Sequence, residues 1–77
     1  MIFLIDQIGR VQQAKYVVEM PVFQPATNEI FYEIVAIGYD DVRRTTLFRF
    51  NTESEMKEKY KEVYQDYMNQ FRIQLKR

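Results

Sequence analysis

Apolar and polar positions follow two different periods along this chain. Up to Phe50 they alternate in short runs; after Thr52 the apolar residues recur every three to four positions. The first pattern predicts strands, the second one long helix. A first strand spans Ile2 to about Ile8. Ile8-Gly9-Arg10-Val11 then fits a type II′ hairpin turn, with Gly9 at the position that needs positive φ. That register sets Ile8 opposite Val11, Ile5 opposite Ala14 and Phe3 opposite Tyr16. A short helix over residues 6–16, capped by Asp6, is the competing reading; Gly9 and β-branched Val11 weaken it.

The second strand runs from about Gln13 to Met20. Pro21 has no N–H to donate and belongs at an edge, a bulge or the strand end. Residues 24–29 read as a loop. The third strand, Ile30 to Tyr39, is apolar on both faces, which predicts a central strand with its second face partly covered. The fourth, Arg44 to Phe50, sets Phe48 and Phe50 on one side with Leu47 and Arg49 on the other.

Thr52-Glu53-Ser54-Glu55 is a capping box that opens the helix. Acidic residues fill its first turn, and Lys76 and Arg77 lie near its far end, as the helix dipole favours. Met56, Tyr60, Val63, Tyr64, Tyr67, Met68, Phe71 and Leu75 fall within an arc of about 140°. The expected fold is therefore α+β: one domain over 1–77, an antiparallel meander of three to four strands, and a C-terminal amphipathic helix on one sheet face (β-β-β-β-α).

Composition narrows the function. The chain has 77 residues with no Cys, no His and no Trp. Disulfides and the common zinc sites are excluded, as are Ser-His and thiolate nucleophiles. Neither a catalytic residue nor a cofactor is expected. A metal site from Glu33, Asp40 and Asp41 lacks the spacing of a calcium loop. The apolar start, Met1 to Ile5, is too short for a membrane span or a signal peptide, so a soluble, cytoplasmic protein with no membrane partner is expected.

Basic and acidic residues number 11 each, but they are unevenly spread: residues 1–42 carry −4 and residues 43–77 carry +4. Three surfaces follow from the charge and apolar patterns. Glu55, Glu58, Glu62 and Asp66 lie within about 80° on the back of the helix, away from the core, include like-charge i,i+4 pairs, and form an acidic ridge suited to a basic partner. Arg43, Arg44 and Arg49, with Thr45 and Thr46, suit phosphate and sugar contacts from a strand. Phe31, Val35 and Ile37, with Phe3 and Ile5, belong to a sheet face that the single helix leaves open; curling of the sheet, a partner or a second copy must cover it. Tyr60, Tyr64 and Tyr67 read as core-boundary residues with wet hydroxyls.

The strand-to-helix junction Phe50-Asn51-Thr52-Glu53-Ser54-Glu55 resembles that of small three-stranded, one-helix DNA-binding domains of the integrase-arm type. The resemblance covers about half the chain and implies a sheet that contacts DNA. Those sheets are studded with Arg and Lys, whereas Glu19, Glu29 and Glu33 stand on the strands here. The expected function is a small non-catalytic protein-interaction module, regulator or inhibitor, of the kind that phage and mobile elements use. A nucleic-acid-binding module and a self-associating homodimer are the alternatives.

Overall fold

A computed structural model describes residues 1–75; Lys76 and Arg77, expected to complement the helix dipole, lie outside the described residues. Five strands precede one helix: β1 (Ile2–Ile5), β2 (Val11–Ala14), β3 (Tyr16–Gln24), β4 (Glu29–Ile37), β5 (Arg44–Phe50) and α1 (Glu53–Leu75). The fold is α+β, with antiparallel sheets and a C-terminal helix packed on a sheet. The strands divide into a β1–β2 hairpin and a three-stranded sheet in the order β3-β4-β5.

The hairpin forms, but not in the expected register. Ile5 pairs with Val11 and Ile2 with Ala14, so the loop spans residues 6–10. Asp6 is the cause. Its Oδ1 accepts from the amides of Ile8 (3.1 Å) and Arg10 (2.9 Å), and its Oδ2 from the Gln12 side-chain amide. The Asp6 N–H donates to the Arg10 carbonyl at 2.9 Å, closing the wider loop. Gly9 does take positive φ, at 84°. Its place in the turn is one that L side chains rarely adopt.

The expected second strand is broken at Lys15. The chain bends there, and the segment before it pairs with β1 while the segment after it pairs with β4. The bend folds the hairpin over the same face of the three-stranded sheet that α1 covers. Ile2, Leu4 and Ala14 thus join Val17, Ile34, Ala36 and Leu47 from the sheet, and Met56 and Val63 from α1, in one core. At the hairpin tip the Gln7 N–H donates to the Leu47 carbonyl on β5 at 2.9 Å.

β5 corrects a second expectation. Its pairing with β4 is irregular: Thr46 opposes Val35 and Phe48 opposes Ile34, which leaves Leu47 as the extra residue of a bulge. Leu47 turns into the core and is fully buried, on the side where Phe48 and Phe50 also pack. Strict alternation would have turned it outward.

The helix starts with the first bond of the capping box, but the Glu55 carboxylate reaches back to the Thr52 hydroxyl and not to its amide. Thr52 Oγ1 accepts from the Glu55 N–H, and the same hydroxyl donates to Glu55 Oε1 at 2.8 Å. Burial along the apolar arc is graded. Met56 and Val63 are buried, Tyr60, Tyr67 and Met68 half-buried, and Tyr64, Phe71 and Leu75 exposed. The first half of α1 rests on the sheet; the later turns reach β1. There Gln70 accepts from the Phe3 N–H at 2.9 Å and donates to its carbonyl at 2.7 Å, while Gln74 donates to the Met1 carbonyl. Two amide side chains thus satisfy the strand edge in place of a neighbouring strand.

Candidate functional site

Two of the anticipated surfaces take shape as units, and the third is divided. Glu55, Glu58, Glu62 and Asp66 are all exposed and follow one another along α1. They do not stand on the back of the helix. They form its flank beside β5 and β1, where Glu62 and Asp66 border a groove of about 210 Å³ with Leu4, Ile5, Phe48 and Val63 on its apolar side. Glu55, Glu58 and Glu62 continue the same wall past Phe50. Lys59 lies in this groove. Its ammonium is 3.1 Å from Glu62 and sits over the Phe48 ring, 4.8 Å from the centroid. Glu58 forms no ion pair with another described residue. The wall therefore keeps net negative charge above an apolar floor.

The arginines separate. Arg49 is committed to Glu33: its Nε donates to Glu33 Oε2 at 2.8 Å, and its guanidinium lies 5.2 Å from the Phe31 ring centroid. Thr46 donates to the other carboxylate oxygen at 3.1 Å. Glu33 is only 5% exposed, and these contacts satisfy it. Arg43 and Arg44 are exposed without a carboxylate partner among the described residues. Arg43 is held by its backbone, whose N–H donates to Asp40 Oδ1 at 2.9 Å. That bond and a second from Val42 keep the Asp40 carboxyl below its ordinary range. Asp41 pairs with Lys15 at 3.1 Å, which raises the Lys15 ammonium above its usual value. Glu33, Asp40 and Asp41 thus face three different partners and are not gathered about a common point.

Phe31, Val35 and Ile37 share the sheet face that looks away from α1. Val18, Met20 and Val22 of β3 stand beside them in register, opposite Val35, Glu33 and Phe31. Phe3 and Ile5 belong elsewhere, to the exposed outer side of the hairpin.

No family model, curated protein or solved structure matches this chain. Among the described residues no helix is long and apolar enough to cross a membrane.

Sequence reasoning missed the role of the helix tyrosines. Tyr60 donates to the Val17 carbonyl at 3.2 Å and Tyr67 to the Lys15 carbonyl at 2.7 Å, so both hydroxyls fix the start of β3. Burial raises the pKa of each. Tyr64 stacks between them, with ring centroids 5.6 Å from Tyr60 and 6.0 Å from Tyr67. Their recurrence at helical spacing marks a boundary row; nothing in the sequence tells which carbonyl each would meet.

Proposed function

We propose that this protein is a small interaction module that works by binding, with no catalytic step, and that its site is the acidic flank of α1. The observation that carries the reading is the pairing of Glu55, Glu58, Glu62 and Asp66 with an apolar floor of Leu4, Phe48, Phe50 and Val63. An acidic wall beside an apolar floor fits a basic amphipathic segment of a partner protein. Its apolar side chains would enter the groove while its lysines or arginines meet the carboxylates. Lys59, already bonded to Glu62 and laid on Phe48, marks how a partner's cation would sit there.

The test is a titration with a lysine- and leucine-rich amphipathic peptide, followed by amide chemical shifts. Shifts are expected along Glu58, Glu62, Phe48 and Val63, with affinity falling as salt rises. Glu58→Lys with Glu62→Lys should abolish binding and leave the melting temperature nearly unchanged. Undiminished binding by that variant overturns the reading. A nucleic-acid-binding reading rests on Arg43 and Arg44 alone, since Arg49 is occupied by Glu33. It predicts a mobility shift at low salt that Arg43→Ala with Arg44→Ala removes.

A further inference from the structure

The face of β3-β4-β5 opposite α1 carries six apolar side chains in adjoining positions: Val18, Met20, Val22, Phe31, Val35 and Ile37. The hairpin and the helix both share the core on the other side; on this face neighbouring side chains already bury Val35, and the other five are half-buried. The charges on it are polarised along the strands. Arg44 stands at one end, opposite Ile37. Glu29 stands at the other end of β4, beside Asn51. Neither is ion-paired with another described residue. Between them, the Glu33–Arg49 pair is internally neutral.

We infer that the occupant of this face is a second copy of the chain. A surface that is basic at one end, acidic at the other and apolar between them is complementary to itself when turned end for end. A two-fold axis lying between the two faces and across the strands does this. It sets β4 over β4 with the strands reversed and brings the Arg44 end of each copy to the Glu29 end of the other. Stacking of two sheets in this way leaves about 10 Å between them, a gap that apolar side chains from both faces fill. The alternative of joining edges is disfavoured. The edge strands of this sheet are β3 and β5: Pro21 in the middle of β3 lacks the N–H that a paired strand needs, and on β5 the Leu47 carbonyl and the Arg49 N–H are already bonded to Gln7. Three strands of about nine residues give a flat footprint of roughly 400 Å² per copy, from strand spacing and rise. That is small for a specific interface, so the dimer is expected in the micromolar range.

Sedimentation equilibrium over about 5 to about 500 µM tests this. The mass should rise from 9.4 kDa toward twice that value. Val22→Lys should weaken association at least about tenfold, the effect of burying an unpaired charge at an interface. Arg44→Glu and Glu29→Arg, both at exposed positions, should each weaken it without loss of fold, and the two together should restore it. Glu58→Lys with Glu62→Lys should leave the mass unchanged, which separates this inference from the proposed binding site. A monomer at the highest concentration overturns the inference, and so does a charge-swapped double variant that associates no better than either single one. In both cases the face is left to a different protein.

Discussion

Gln70 stands in for a strand at the edge of β1: its side-chain amide exchanges two hydrogen bonds with the backbone of Phe3, 67 residues away. A primary amide has the same donor and acceptor as a peptide group, which is why glutamine can do this and glutamate cannot. Gln70→Ala should cost about 1–2 kcal/mol, two modest hydrogen bonds. Gln70→Glu should cost at least as much, because a carboxylate cannot donate to the Phe3 carbonyl. Urea unfolding gives the stabilities, and hydrogen exchange at the Phe3 amide gives the local effect. Slow exchange in Gln70→Ala would count against the contact.

Glu33 and Arg49 make a separate prediction. The carboxylate is buried and the guanidinium is half in water, so removing the arginine strands a charge that Thr46 alone cannot satisfy. Arg49→Ala should destabilise by about 2 kcal/mol, whereas Arg44→Ala at an exposed position should change stability by less than about 0.5 kcal/mol. Glu33→Leu with Arg49→Met should recover most of the loss, since a well-packed apolar pair can replace a buried ion pair. Denaturant midpoints of the four proteins decide it.

Alkaline pH should loosen α1 from β3. Burial pushes the hydroxyls of Tyr60 and Tyr67 above 10.0, their ordinary value. Their protonated forms therefore contribute stability that is fully present below pH 10 and lost as pH rises through the folded-state values. Ionisation also removes the protons donated to Val17 and Lys15. Absorbance titration should show two of the six tyrosines ionising late, together with the loss of helix signal. In Tyr60→Phe with Tyr67→Phe the late phase should vanish.

The first loop should withstand acid. Partial burial acts to raise the Asp6 carboxyl, but the Arg10 and Ile8 amides and the Gln12 side chain outweigh it and hold it below 3.8. Its contribution to stability is thus present above that pH and lost as pH falls through the depressed folded value. Ile8 and Arg10 amide protons should stay protected at pH 4 and exchange faster in Asp6→Ala. Gly9→Ala should cost about 1–2 kcal/mol from its positive φ alone, as open space surrounds the site. A neutral Gly9→Ala would contradict the turn geometry.

The parts of this fold that follow from short-range chemistry were legible in the sequence. The Thr52–Glu55 box, the helical arc around Met56 and Val63, and the apolar run of β4 each carry their cause within a few residues. The hairpin was legible as a hairpin, but its register depended on a side chain: Asp6 gathers three donors and widens the loop. The bend at Lys15 has no breaker residue to announce it. It exists because Ala14 and Val17 reach the same core from different sheets, a long-range condition. The acidic row on α1 was readable from spacing, but its position beside Phe48 and Phe50 depended on how β5 meets the helix. Arg49 looked available in the sequence because Glu33 is 16 residues away.

The bulge at Leu47 also governs the electrostatics of the open sheet face. Arg44 and Arg49 are an odd number of residues apart, so an uninterrupted strand would point them to opposite sides. The extra residue shifts the phase of β5 by one, and both arginines come out on the side of Glu33. Deleting Leu47 would therefore empty a core site without disturbing that electrostatics. The shortened strand would run in regular alternation with Arg44 and Arg49 four positions apart, so both would stay on the side of Glu33 and the charge of the outer face would be kept.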